Sequence, residues 1–128
     1  MTHVVLESTK PYINVQAFLE ALIPTVDSEE QPEASPQLVI FLKRERSQPR
    51  QAVQYEIGTL LAASPLTNPA AALYIPARVV LYENADGTSR FEYDLPSSLF
   101  AQFGDDRISD EGRGLDDALA HVLTAAAG

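Results

Sequence analysis

The residue best suited to binding chemistry in this 128-residue sequence is Arg78, which begins the apolar run Val79–Tyr82. A guanidinium beside apolar side chains needs a partner, because an unpaired charge is costly to remove from water. One hypothesis is that Arg78 clamps the carboxylate or phosphate of a small anionic ligand. The alternative is an internal ion pair with Asp94 or Glu56 that fixes the strand ends. The residues predicted to line the ligand cleft are Arg78, Tyr55, Tyr93, Asp94, Ser97 and Ser98.

A second group of charges, formed by Lys43, Arg44, Arg46 and Arg50, holds four of the nine positive residues. Such a cluster can bind an anion or an acidic partner. The simpler interpretation is a solvated connection between two strands, whose charges keep exposed strand ends from pairing with other chains.

No arrangement typical of a metal site or a common catalytic centre occurs in the sequence. His3 and His121 are the only histidines, and neither has a metal-ligand partner at a suitable spacing. Cysteine is absent, which excludes thiolate zinc sites and cysteine nucleophiles. A Gly-x-Ser-x-Gly elbow and a glycine-rich phosphate loop are also absent. We therefore assign no metal, cofactor or catalytic residue, and an enzyme stays an open alternative.

The charge balance is acidic. Nine Lys and Arg against eighteen Asp and Glu give a net charge of −9, which repels a nucleic-acid backbone. The longest apolar runs, such as Leu38–Leu42, are too short to span a bilayer. The first residues carry no basic leader, so we expect no signal peptide. A single cytoplasmic domain over residues 1–128 is expected, with neither nucleic acid nor membrane as a partner.

Local patterns predict the elements that must position these residues. A strand at Val4–Leu6 is followed by a helix that begins after Asn14 as N-cap. The apolar face of this helix is formed by Val15, Phe18, Leu19 and Leu22. Pro24 ends the pattern, and the acidic, proline-rich residues 24–36 predict a flexible surface loop.

The middle of the chain predicts the strands of a sheet. Leu38–Leu42 is apolar at every position, which is typical of a central strand buried on both faces. Val53–Ile57 alternates between apolar and more polar residues, as in a strand with one buried face. The strongest local signal is a hairpin, because Val79–Tyr82 and Phe91–Tyr93 flank Asp86-Gly87, where glycine can adopt a positive φ.

The remaining patterns are helical. Short pieces are expected at Leu60–Ala63 and Asn68–Ala71. Ser97-Ser98 is predicted to cap a short helix that ends at Gly104. Gly114 precedes a long closing helix. The apolar face of that helix is formed by Leu115, Leu119, Val122 and Ala126.

Two strands, Leu38–Leu42 and Val79–Tyr82, are expected to present apolar side chains on both faces of the sheet. The two amphipathic helices can cover only one face, and a large bare apolar patch is unusual on a soluble protein. We therefore predict a homodimer that buries part of the second face, with the alanine-rich residues 60–73 at the seam.

Several motifs form a recognisable set. They are Tyr55-x-Ile57-Gly58, Leu73-Tyr-Ile-Pro76-Ala-Arg78-Val-Val-Leu-Tyr-Glu83, Asp86-Gly87 and Tyr93-Asp94-x-Pro96-Ser97-Ser98. From Gln37 to the C-terminus the chain resembles the bacterial family called domain of unknown function 302. The resemblance implies an α+β fold in the order β-α-β-β-β-β-α, with one four- to five-stranded, mostly antiparallel sheet and helices on one face. It also implies likeness to one repeat of the TATA-binding protein and assembly as a dimer, but no reaction.

These observations leave three functional hypotheses. The leading one is a small homodimeric α+β domain that acts as a non-catalytic binding or accessory protein. The first alternative is an enzyme acting on a small anionic substrate, with Arg78 as an electrostatic clamp. The second is a protein-interaction module that uses the acidic segments.

Overall fold

The computed structural model describes residues 2–25, 38–59, 77–104 and 106–128. Its elements are β1 (His3–Ser8), α1 (Tyr12–Leu22), β2 (Leu38–Arg46), β3 (Ala52–Thr59), β4 (Ala77–Glu83), β5 (Ser89–Asp94), α2 (Pro96–Phe100), a 3₁₀ turn (Ala101–Phe103) and α3 (Asp106–Ala127). The helical pieces expected within residues 60–73, and nearly all of the loop expected at residues 24–36, lie outside the described residues.

The five strands form one antiparallel sheet in the order β1-β5-β4-β3-β2. Successive side chains of each strand point to opposite faces. On one face they join residues of α1 and α3 in a continuous apolar core, with Tyr55 and Phe91 among its largest fully buried side chains. The predicted α+β class, element order and single antiparallel sheet are confirmed.

The predicted hairpin between β4 and β5 is also confirmed. Gly87 has a φ of 88°, and its N–H donates to the carbonyl of Asn84 at 3.1 Å. The Asp86 carboxylate accepts the backbone N–H of Thr88 at 3.0 Å, which closes the turn from the other side. This turn fixes the register between β4 and β5.

β2 lies at one edge of the sheet, so its predicted central position is wrong. Its first residues, Leu38 to Ile40, are buried, whereas Leu42 beyond a bulge is 36% exposed. The backbone N–H of Ile40 donates to the carbonyl of Pro24 at 2.9 Å, and Thr25 forms a bridge with Ile40. The chain that follows α1 therefore covers part of this edge, which explains why an edge strand begins with consecutive apolar residues.

α1 begins at Tyr12, earlier than predicted, because Pro11 is its N-cap and Asn14 is not. Asn14 donates its backbone N–H to the carbonyl of Pro11 at 3.1 Å. The buried residues of α1 are Tyr12, Val15 and Leu19. Phe18 and Leu22, predicted to be buried, are 46% and 47% exposed, since they lie on the flank of the apolar stripe.

α3 begins at Asp106, so the prediction that it starts after Gly114 is wrong. Gly112 and Gly114 both lie inside the helix, where tertiary packing outweighs their low helix propensity. Its buried residues include Leu115, Leu119, Leu123 and Ala126, with Val122 half-buried. Within the described part of the chain, no helix combines the length and hydropathy needed to cross a bilayer.

The sheet face opposite the helices is more polar than predicted. On that face β4 contributes Arg78, Val80 and Tyr82, and β5 contributes Arg90, Glu92 and Asp94. The apolar run of β4 sends Val79 and Leu81 into the core and only Val80 to the other side. An apolar second face was the premise of the predicted homodimer, and for these strands that premise is wrong. The oligomeric state itself stays a prediction.

Candidate functional site

An open groove of about 350 Å³ lies on the sheet face opposite α1 and α3. It is bordered by His3 of β1, Gln54 of β3, residues 78–80 of β4 and residues 92–94 of β5. Strand register assembles it, because Val80 lies between Glu92 on one neighbouring strand and Gln54 on the other. The groove thus joins residues from four strands.

Arg78 stands in this groove with 75% of its side chain exposed. Its Nε atom lies 3.8 Å from Oε1 of Glu56, its cross-strand neighbour on β3. That distance exceeds a normal hydrogen bond, so Glu56 holds the guanidinium only loosely. Of the two partners that the sequence suggested, the structure brings Glu56 near, while Asp94 pairs with His3.

His3 is held between two carboxylates of β5. Its Nε2 lies 2.7 Å from Glu92 Oε1, and its Nδ1 lies 3.0 Å from Asp94 Oδ1. Hydrogen bonding to Glu92 and then to Asp94 raises the pKa of His3 above its ordinary value of 6.5. The carboxylates approach opposite ring nitrogens, so the three groups cannot converge on one metal ion. Among the described residues, no cluster of three possible metal ligands occurs.

The same contacts continue across the sheet. Glu92 accepts a short hydrogen bond from the hydroxyl of Tyr82, and Arg90 Nη1 donates to that hydroxyl at 3.2 Å. Arg90 also forms an ion pair with Glu7 of the edge strand β1. Hydrogen bonds from His3 and from Tyr82 lower the pKa of Glu92, so this carboxyl is ionised at neutral pH. A chain of hydrogen bonds and ion pairs therefore connects β1, β5 and β4 beside the groove.

Tyr93 borders the groove, but its ring belongs to the core on the other side of the sheet. Burial raises its pKa, with a smaller contribution from Asp116 on α3. The hydroxyl of Tyr93 is therefore not a group that a ligand in the groove can reach. Asp94, by contrast, points into the groove and is 38% exposed.

Tyr55 pairs with Val79 across the strands, but its side chain is fully buried on the helix side of the sheet and does not line the groove. Its hydroxyl donates to Glu20 Oε2 at 3.0 Å, and Glu20 Oε1 pairs with Lys43. Burial, followed by the charge of Glu20, raises the pKa of Tyr55, so its hydroxyl remains a donor. Lys43, part of the predicted basic cluster, is neutralised by Glu20 and by Glu45 at 2.9 Å.

Ser97 and Ser98 lie at the start of α2, and both are engaged within the fold. The side chain of neither residue caps the helix, whose N-cap is Leu95. Ser98 Oγ donates to the carbonyl of Leu95 at 2.6 Å and accepts the N–H of Thr2 at 2.9 Å. These contacts tie the chain before β1 to the end of β5.

Sequence reasoning missed His3 and Glu92 as members of this site. The available signal was the hairpin, since its register places Glu92 beside Val80 on the face that also carries Arg78. The pairing of β1 with β5, which brings His3 opposite Asp94, has no local signature because 91 positions separate the two residues.

Two comparisons place this chain among known proteins. The model of the family described as domain of unknown function DUF302 matches residues 43–126, well over half of the chain. A crystal structure of an uncharacterized conserved DUF302 protein from Bacillus stearothermophilus has a similar fold, with a TM-score of 0.76 and 14% sequence identity. The similarity covers 100% of this chain and 99% of that one. No curated protein matches the sequence. The chain therefore belongs to the DUF302 family, whose function is unknown.

Proposed function

We propose that this chain is a non-catalytic binding or accessory protein that takes a small carboxylate- or phosphate-bearing molecule in the groove at Arg78. The observation that carries the proposal is the loosely held guanidinium of Arg78, 75% exposed, with its only close carboxylate at 3.8 Å among the described residues. Such a guanidinium can offer two parallel N–H donors to a carboxylate or phosphate.

The charges around Arg78 set the conditions for binding. The negative charges of Glu92 and Asp94 repel an anion in the groove. The positive charge of protonated His3 reduces this repulsion. Glu56 beside Arg78 adds a third carboxylate. The three carboxylates leave a net charge of −1 against Arg78 and protonated His3, and −2 against Arg78 alone when His3 is neutral. Anion binding is therefore expected to strengthen as the pH falls through the raised pKa of His3.

The test is an amide NMR titration with inorganic phosphate and, separately, with succinate. We expect saturable shifts at residues 78–80 and at Asp94, and an affinity about tenfold lower in Arg78→Gln. Arg44→Gln is the matched control, because Arg44 is an exposed arginine of the same sheet. Equal binding by the wild-type protein and Arg78→Gln, or shifts centred on Arg44, would overturn the proposal.

A second candidate function is association through the sheet, with another copy of the chain as the occupant. Its support is an uneven charge distribution. β2 at one edge carries Arg44 and Arg46, whereas towards the other edge the three carboxylates of Glu7, Glu92 and Asp94 outnumber Arg90 and His3. Two copies that stack these sheet faces about a two-fold axis parallel to the strands can set the basic edge of one over the acidic edge of the other.

Light scattering at low and high salt tests this association. A homodimer held by charge has twice the mass of the 14.0 kDa chain at low salt and dissociates as salt is added. A mass of 14.0 kDa at both salt concentrations would remove this candidate and leave the ligand-binding proposal intact.

Two parts of the sequence hypotheses remain with the proposal. The first is likeness to one repeat of the TATA-binding protein, which the element order supports. The second is a cytoplasmic location, which cell fractionation can test. For the enzyme alternative, the lowered pKa of Glu92 makes this carboxyl a poor general acid at neutral pH.

A further inference from the structure

A second groove, of about 240 Å³, lies on the other side of the molecule. It runs between the first turns of α1 and the connection from β2 to β3. Its lining residues are Tyr12, Gln16, Glu45, Arg46, Ser47 and Gln51. Every one of these side chains carries a hydrogen-bonding group, and together they offer both donors and acceptors.

Two of the lining side chains are held in place by hydrogen bonds and ion pairs within the protein. Gln16 Nε2 donates to Glu45 Oε1 at 2.8 Å, and that same carboxylate lies 2.9 Å from Lys43 Nζ. Lys43 also pairs with Glu20, which accepts the hydroxyl of buried Tyr55 at 3.0 Å. This network anchors the rim of the groove to the core, so a ligand meets polar groups that are already ordered.

The charged side chains that line the groove, taken together with the charged residues that hold them in place, carry no net charge. Lys43 and Arg46 are matched by Glu20 and Glu45, and Glu45 stands at the rim where it repels an anion. Hydrogen bonding to Lys43 lowers the pKa of Glu45, which keeps this carboxylate charged at neutral pH. The volume lies below the range of sites for drug-sized ligands, which favours a smaller molecule.

We propose that this groove binds a small neutral polyol, a molecule whose several hydroxyl groups both donate and accept hydrogen bonds. Glu45 and Ser47 accept from ligand hydroxyls, while Gln16, Arg46 and Gln51 donate to them. Tyr12 also lines the groove but is 4% exposed, so a ligand meets mainly the polar side chains. This site is independent of the groove at Arg78.

An amide NMR titration with myo-inositol tests the proposal. We expect saturable shifts at Gln16, Ser47 and Gln51 with a dissociation constant on the order of 1 mM, as befits an open groove. Gln51→Ala should weaken binding about fivefold to tenfold. The backbone carbonyl of Gln51, which accepts the N–H of Glu83 at 3.0 Å, is unaffected by this truncation.

Gln54→Ala is the control, because it removes the same type of side chain from the other groove. Myo-inositol binding should be unchanged in this variant. The proposal is wrong if no saturable shifts occur, if Gln51→Ala binds as well as the wild-type protein, or if inorganic phosphate shifts the same amides more strongly than the polyol. Failure here leaves the Arg78 proposal untouched, since that proposal rests on different residues and probes.

Discussion

Gly112 of α3 lies so close to Phe100 of α2 that no side chain fits between them. A Cβ atom at Gly112 would lie 2.7 Å from Cδ2 of Phe100 and 2.8 Å from the Cα of Ser97. Phe100 is itself 1% exposed, so its ring has little room to move. The glycine therefore permits the close packing of α2 against α3 and costs α3 some helix propensity.

Gly112→Ala should destabilise the protein by about 1–3 kcal/mol, because the new methyl group displaces Phe100 or the backbone at Ser97. Gly114→Ala is the control in the same helix, where an added Cβ meets nothing within 4 Å. It should stabilise the protein by about 0.5–1 kcal/mol through helix propensity. Urea unfolding measures both, and equal effects of the two substitutions would contradict the packing argument.

Asp116→Ala should destabilise the protein by about 1 kcal/mol. The Asp116 carboxylate on α3 accepts the backbone N–H of Ser97 at 3.0 Å and so satisfies a donor at the start of α2. Asp117→Ala removes a neighbouring, exposed carboxylate and serves as control. Thermal unfolding of both variants gives the comparison, and similar losses would mean that general charge, rather than this bond, is responsible.

Stability should depend on pH through His3. Because its pKa in the folded state is raised above 6.5, the stabilisation is fully present below that pH and is lost as the pH rises through the folded-state pKa. Denaturant unfolding of the wild-type protein and His3→Gln across this range should show a difference that shrinks at alkaline pH and at high salt.

The His3 titration can also be followed directly by NMR. Glu92→Gln should lower the pKa of His3 more than Asp94→Asn does, because the hydrogen bond to Glu92 is the larger cause of the shift. A wild-type His3 that titrates at or below 6.5 would show that its contacts with the carboxylates do not persist in solution.

Tyr55→Phe should cost about 1–2 kcal/mol of stability and leave phosphate binding unchanged. The hydroxyl donates to Glu20 in a partly buried network on the helix side, so its loss leaves a carboxylate oxygen without that donor. Calorimetric unfolding and the phosphate titration, run on the same variant, separate the two effects. Loss of phosphate binding in this variant would restore Tyr55 as a ligand residue.

The elements that were predicted correctly are those whose signals lie within a short stretch of the sequence. Asp86-Gly87 supplies the turn conformation, and the alternation around it supplies two strands. The errors lie where local signals compete. Asn14 resembled an N-cap, but Pro11 starts the helix one turn earlier, and Gly114 resembled a helix boundary although α3 passes through it.

Local sequence patterns were enough to predict the α+β class, the order of the elements along the chain, the family and the place of Arg78 on a strand. The folded chain was needed to show that His3 lies between Glu92 and Asp94, that Tyr55 faces the core and that β2 is an edge strand. Backbone conformation follows from neighbouring residues, whereas the order of strands within the sheet and their register depend on contacts between residues distant in the chain.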